Sequence, residues 1–468
     1  MMRTLAAAAN ATRGRLAAEH AGSGDIAFAA VSTDSRTLPA GALFVALRGP
    51  AFDGHEFVAA AAAAGAVGAI VDRVMPVPLP QIVTADTLRA LQALSLAWRV
   101  NFDFPLVAVA GSNGKTTCKG MTAAILSRTG PCIATQGNLN NHIGVPLTLL
   151  RLEATLRSAV VEMGANRIGD VADLMRLVRP TVGLITNAGA EHLEFFGDLA
   201  GVARGEGETV AHLRADATAV INADDAYAGY WRGIASARRV ITFGLNPGAD
   251  FRAENPLQGI EAGEFVTRFT LVSPLGDALV TVRTGGLHNV ANAVAAAAGA
   301  SAAGASLEDV IRGLADFRAV SGRLQLKSGS RDSWIIDDSY NANPNSVRAG
   351  LDVLRSMSGR KWLVLGDMGE LGAHTEASHD EIGAYARACG VERLFALGAL
   401  TPLAGQAFGS GAEWFADADA LAHRVEADLA PGVTVLIKGS RVNRLERVVR
   451  ALTGGAGGGA GYPMPMAS

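Results

Sequence analysis

Short, unbroken apolar runs alternate with stretches of helical spacing along most of the chain, and the two patterns divide it into three blocks. In the second block, about 85–317, the runs at 105–110, 159–163, 182–186 and 219–222 are each bounded by turn residues, which predicts buried parallel strands. Between about 250 and 286 the pattern changes to alternation with turns at 261–263 and 274–277, an antiparallel insertion. A helix over about 289–303 and another capped by Ser306 close the block. The third block, 318–453, predicts strands at 334–337, 362–366, 393–397 and 434–438 with helices between them. The first, 1–84, has strand candidates at 42–47 and 69–71 and an alanine-rich helix at 57–64; it ends in a proline-rich run, 75–80, that reads as a hinge. The fold class is therefore α/β, in three domains: a small N-terminal α/β domain, a central parallel-sheet domain and a C-terminal Rossmann-like domain. The glycine-rich tail 454–468 is expected to be disordered.

Composition narrows the class. The 468 residues are 49% hydrophobic and 18% charged with a net charge of −3, which excludes disorder over most of the chain. Balanced charge offers no general polyanion surface, so no nucleic acid partner is expected. The most apolar run, 57–71, is broken by Gly65 and Gly68 and is too short to span a bilayer, so no membrane insertion is expected. Three widely spaced cysteines and the absence of a secretory leader pattern point to a cytoplasmic protein, expected as a monomer. Lysine occurs only at 115, 119, 327, 361 and 438, against 36 arginines, so lysine-dependent chemistry has five candidates.

The candidate chemistry begins at Gly111-Ser112-Asn113-Gly114-Lys115-Thr116-Thr117, which follows the run 105–110 and opens a helical stretch. Glycines there let backbone N–H groups turn inward around phosphate oxygens, and the helix start favours an anion. Lys115 is placed to reach the terminal phosphates and the Thr116 hydroxyl to ligate Mg²⁺, which makes the central domain a P-loop ATPase domain. The spacing is shorter than the common phosphate-loop pattern, and no Asn-Lys-x-Asp guanine-reading motif occurs, so ATP is expected over GTP.

Glu162 ends the apolar run that starts at 159–161, and His192 follows the run 182–186. Ligands of open α/β sheets bind at the carboxyl ends of strands, where both residues fall. Either could hold a metal beside a phosphoryl group, or cap a helix and satisfy a local hydrogen bond.

Beyond these residues, a set of motifs resembles the Mur ligase family. They are the phosphate loop, Gly137-Asn138-Leu139-Asn140-Asn141-His142, the segments 161–166 and 187–197, Leu287-His288-Asn289-Val290-Ala291-Asn292, Ser321-Gly322-Arg323, 337–344, 366–372 and Lys438-Gly439-Ser440-Arg441. Their order and spacing match over 30–452. Gly-Asn-Leu-Asn-Asn and Gly-Asp-Met-Gly-Glu-Leu-Gly are similar to the D-alanyl-D-alanine-adding branch of the family. The resemblance implies an ATP-dependent amide ligase joining D-alanyl-D-alanine to UDP-N-acetylmuramoyl-tripeptide through an acyl phosphate, with ADP and phosphate released. It implies metal-site roles for Thr116, Glu162 and His192, an adenine-side role for Asn289 and Asn292, a phosphate contact from Arg323, and a nucleotide-side acid at Asp338. Lys115, Glu162, His192 and Arg323 are the implied catalytic set, and Asn138, Asn140 and Asn141 are implied substrate contacts.

The same resemblance assigns the first block to a uridine nucleotide. Asp34, Ser35, Arg36 and Arg48 are the implied contacts, the arginines supplying charge for a diphosphate; by residue type alone the two arginines read as solvated surface charges. One position departs from the family pattern. Where relatives carry a CO₂-carbamylated lysine, Gly201-Val202-Ala203-Arg204-Gly205-Glu206-Gly207-Glu208 presents Glu206. Glu206 is expected either to replace the carbamate at the metal with its own carboxylate or to be a solvent-facing helix residue.

Overall fold

Three sheets, one per predicted block, organise the chain. The computed structural model describes residues 3–235 and 238–454; apart from Gly454, the expected disordered tail lies outside the described residues. The first sheet has five strands in the order Arg15–Leu16, Gln81–Val83, Gly68–Val71, Ala42–Val45, Ala30–Ser32. All its pairings are parallel except the outermost, where Arg15–Leu16 runs against Gln81–Val83.

This topology corrects the hinge reading of 75–80. The strand on its far side, Gln81–Val83, lies beside Gly68–Val71, so the prolines form a crossover inside one sheet. The buried Gln81 amide ties the loop down, accepting from Met75 N–H at 2.7 Å and donating to Met75 C=O at 2.8 Å. Leu79 is buried beneath it.

The central sheet has nine strands, ordered Ala278–Val282, Glu264–Val272, Phe251–Glu261, Arg239–Gly244, Thr218–Asn222, Val182–Ile185, Leu106–Ala110, Ser158–Glu162, Cys132–Ala134. The last seven are parallel and the first two add as an antiparallel meander, as the change of pattern at 250–286 predicts. Leu106–Ala110 pairs with Ser158–Glu162 on one side and Val182–Ile185 on the other. Chain order reverses there, and the reversal opens a crevice at the carboxyl ends of these strands.

Helices Lys115–Leu126, Leu287–Ala302 and Leu307–Asp316 cover one face of this sheet. Leu287–Ala302 presents an almost continuous alanine face, with Ala293, Ala295–Ala298 and Ala300 all fully buried. Ser306 caps the last helix through a reciprocal capping box with Asp309. The other face packs on Gly144–Leu149, Asp170–Val178, Leu199–Ala211 and Ala228–Ile234.

The third sheet runs Gln325–Ser328, Trp334–Asp337, Val433–Lys438, Arg360–Gly366, Arg393–Leu397, Ala412–Phe415. It is parallel apart from its first strand, with an apolar core on each face. No helix among the described residues is long and apolar enough to cross a membrane.

Candidate active site

The phosphate loop follows Leu106–Ala110 directly and ends in the helix Lys115–Leu126, and two of its glycines are required by shape. Gly111 has φ +117°, and a Cβ there would stand 2.1 Å from Thr186 Oγ1. Gly114 has φ +82°, and its Cβ would meet Asn292 Oδ1 at 2.2 Å. Only glycine satisfies both backbone and space at these points. The strand-end segment 186–189 braces the loop: Asn113 N–H donates to Asn187 Oδ1 at 3.0 Å, and Gly189 N–H donates to Ser112 Oγ at 2.8 Å. The loop opens into a cavity of about 1200 Å³, lined also by Asn138, Asn140, Asn141, Glu162, Glu191, His192 and Arg323.

Lys115 sits among carboxylates. Its Nζ donates to Ser112 C=O at 3.0 Å and to Glu191 Oε2 at 3.2 Å. Burial opposes its charge, but Glu191, Glu206 and Glu162 outweigh burial and hold it above the ordinary lysine value. Burial likewise opposes the charge of Glu191, and Lys115 and His192 override it to hold that carboxyl low. His192 has left-handed backbone, φ 51°. Its Nδ1 lies 2.6 Å from Glu370 Oε2 on a loop of the third domain, and its Nε2 lies 3.5 Å from Glu191 Oε1. Burial works against a charged ring, but the two carboxylates raise the His192 pKa above its usual value. Glu370 is also left-handed, φ 62°; backbone in this region is costly for residues other than glycine and marks functional segments.

Glu162 is the best-defined oxygen donor. Its Oε1 accepts from the Thr116 hydroxyl at 3.2 Å and from Asn140 Nδ2 at 2.9 Å. Its Oε2 is buried without a hydrogen bond and faces Lys119 Nζ at 3.1 Å. A hydroxyl and a carboxylate side by side on a phosphate-binding loop suit Mg²⁺, which takes oxygen ligands, keeps several waters and needs only one or two carboxylates beside phosphate oxygens. The four expected metal residues are not gathered around one point. Thr116 and Glu162 are in contact, whereas His192 is engaged by Glu370, and Glu206 Oε2 accepts from Gly111 N–H at 2.7 Å. No group of three or more His, Cys, Asp or Glu among the described residues is arranged to hold a metal.

Glu206 is 4% exposed on the helix Leu199–Ala211, so the solvent-facing alternative fails. Burial, with Glu191 adding to it, pushes its carboxyl up to about 7 against the pull of Lys115 and the Gly111 N–H. Glu208, two residues on, points elsewhere and accepts from Gly169 and Ala172 N–H at the start of the helix Asp170–Val178.

Three family models match the chain in order: Mur ligase family, catalytic domain, over 27–94; Mur ligase middle domain over 109–300; and Mur ligase, glutamate ligase domain, over 322–441. The UDP-N-acetylmuramoyl-tripeptide--D-alanyl-D-alanine ligase of Escherichia coli (strain K12) is 43% identical over 431 residues, covering 92% of this chain and 94% of its own. The chain belongs to the Mur ligase family. Among solved structures of Mur ligases, MurF from Acinetobacter baumannii superposes with a TM-score of 0.89 at 33% identity, covering 96% of this chain and 98% of its own. MurF ligase from Thermotoga maritima, in complex with ADP, has a TM-score of 0.79 at 26% identity, covering 90% and 96%.

The remaining expected residues of this Mur ligase fall in three places. Asn289 and Asn292 are buried behind the phosphate loop: Asn289 donates to Thr284 Oγ1 and Gly285 C=O, and Asn292 donates to Asn289 Oδ1 at 3.1 Å. Asp338 is buried in the third domain, where it accepts from Lys438 Nζ at 2.6 Å and Leu324 N–H at 3.1 Å. Arg323 lines the cavity with its guanidinium 4.2 Å over the Tyr340 ring. Asp34, Ser35, Arg36 and Arg48 are not on this cavity; Arg36 forks onto Asp34 and Arg48 pairs with Asp72. Glu191, Glu370 and Asn343 are site residues that residue-type reasoning passed over, and Lys119 entered it only as one of the five lysines. Lys119 carried a usable signal, one turn beyond Lys115 on the helix face that meets Glu162.

Proposed function

We propose that the chain is an ATP-dependent ligase that adds D-alanyl-D-alanine to UDP-N-acetylmuramoyl-tripeptide, releasing ADP and phosphate. What supports this is 43% identity, over 92% of the chain, with a ligase of that name, together with a cavity that joins a phosphate loop to a third-domain wall. A carboxylate is a poor electrophile. Its oxygen attacks the γ-phosphorus of ATP, the bond to the ADP oxygen breaks, and the acyl phosphate so formed carries a good leaving group. The amine of D-alanyl-D-alanine then attacks the carbonyl carbon, and the tetrahedral intermediate collapses by expelling phosphate.

The chain's own part is positioning and charge neutralisation. Lys115 faces the terminal phosphates, and the loop N–H groups seat them. Thr116 and Glu162 would hold Mg²⁺, which supplies charge neutralisation on the polyphosphate. His192 and Glu206 are read as further metal-site residues, Glu206 bringing a carboxylate that needs no CO₂. Arg323 and Asp338 act from the third domain, Asn289 and Asn292 from behind the loop, and Asn138, Asn140 and Asn141 on the peptide side. Asp34, Ser35, Arg36 and Arg48 are assigned to the uridine nucleotide. The domains divide as 1–84, 85–317 and 318–453, and three free cysteines fit a cytoplasmic site of action.

The test is phosphate release with each acceptor alone and with both, followed by mass detection of product. Turnover that needs UDP-muramoyl-tripeptide and D-alanyl-D-alanine together, with the mass of the pentapeptide, is expected. Release supported instead by a folate and glutamate would replace this reading with that of the related folylpolyglutamate synthases.

A further inference from the structure

Asn343, at the start of a helix in the third domain, lies 230 positions from Asn113 and donates from Nδ2 to Asn113 Oδ1 at 2.8 Å. The orientation of the Asn343 amide is fixed by its other partner, and the Asn113 amide is set by the Asn343 bond itself. Asn343 is the cap residue of the helix Pro344–Ser356: its Oδ1 accepts from Ser346 N–H at 2.8 Å, and its own N–H donates to Ser346 Oγ at 3.0 Å. The Nδ2 is left to face the phosphate loop. Asn113 presents Oδ1 to it and turns its own Nδ2 toward Gly189, where an added Cβ would stand only 2.6 Å away. The Asn113 backbone is pinned as well, its N–H donating to Asn187 and its carbonyl accepting from Thr186 Oγ1 at 2.7 Å. Asn343 is 6% exposed, so water does not compete freely for the bond.

We propose that Asn343 is a positioning residue that latches the third domain onto the phosphate loop. The cap and the latch share one side chain, so the helix start that carries Asn343 is held at a set distance from the loop that seats the phosphates. Arg323, Tyr340 and Asn341 line the same cavity from the same domain, and their placement over Lys115 and Thr116 depends on this docking. Nucleotide binding to the loop itself does not need the latch, whereas turnover does. The inference rests on the ligase reading for its kinetic arm only.

The experiment separates cap from latch. Asn343→Ser and Asn343→Thr keep an oxygen for Ser346 N–H, on a stem too short to reach Asn113 while that oxygen caps the helix. Both are expected to keep the parental Tm and ADP affinity while kcat falls about three- to tenfold, the worth of one neutral hydrogen bond. Small-angle scattering of the ADP complex should shift to a larger radius of gyration. Gly189→Ala, which displaces the Asn113 amide from the opposite side, should lower kcat alike, and the double variant with Asn343→Ser should be no worse than either alone. A kcat within twofold of the parent in both cap-preserving variants overturns the latch, as do losses that multiply in the double variant. If the parent shows no D-alanyl-D-alanine-dependent turnover, the ligase reading falls, and the scattering shift, or its absence, decides the latch.

Discussion

Lys119 and Glu162 face each other at 3.1 Å, Glu162 on the cavity wall and Lys119 behind it, with side chains 8% and 3% exposed. An ion pair this deep is weak evidence of net stabilisation, but removing one partner strands the other charge. Lys119→Met is therefore expected to destabilise the nucleotide-free protein by about 3–5 kcal/mol, measured by urea unfolding. Mg²⁺ with ADP should recover part of the loss, because a divalent cation at Thr116 and Glu162 gives the carboxylate a new counter-charge. An equal loss with and without Mg²⁺–ADP would separate Glu162 from the metal.

Glu206→Gln tests the departure from the family pattern. The glutamine carbonyl still accepts from Gly111 N–H, so the loop keeps its hydrogen bond while the side chain can no longer ionise to a carboxylate. The Mg²⁺ concentration for half-maximal turnover should rise several-fold, and bicarbonate should not stimulate parent or variant. An unchanged Mg²⁺ dependence would place Glu206 outside the metal site.

His288 supplies a pH prediction. Burial, aided by the nearby Lys438 and opposed by Asp338 and Asp352, lowers its pKa from the ordinary 6.5. A histidine held neutral in the fold is protonated more readily in the unfolded chain. Its contribution to stability is thus present above about 6.5 and is lost as pH falls from there toward the folded value. His288→Gln should unfold at a urea midpoint that drops less between pH 7.5 and 5.5 than the parent's. An identical drop in both would show that the ring is not held neutral.

Much of the sheet framework was legible because buried parallel strands write their burial directly as apolar runs. The strand 334–337 matches its predicted bounds to the residue and the four predicted parallel strands of the central sheet match to within a residue at either end, whereas Cys132–Ala134 and Arg239–Gly244 of that sheet went unpredicted. The first domain was harder: Arg15–Leu16 and Ala30–Ser32 are short edge strands, and the crossover prolines imitate a linker. The phosphate loop declared itself through local glycine spacing. Glu191, Glu370 and Asn343 did not, because each gains its meaning from a partner brought near by folding. Glu370 approaches His192 only when a loop of the third sheet meets the end of the second.

The alanine face of Leu287–Ala302 has a consequence for motion. Alanine has no rotamers to lose, so packing this helix against the sheet carries almost no side-chain entropy cost. For the same reason the alanines of that layer have nothing that can flip or swing. The helix that carries Asn289 and Asn292 behind the phosphate loop shifts only if its whole backbone shifts. The loop therefore rests on a wall without moving parts, and the give that a catalytic cycle needs is left to the domain on its other side.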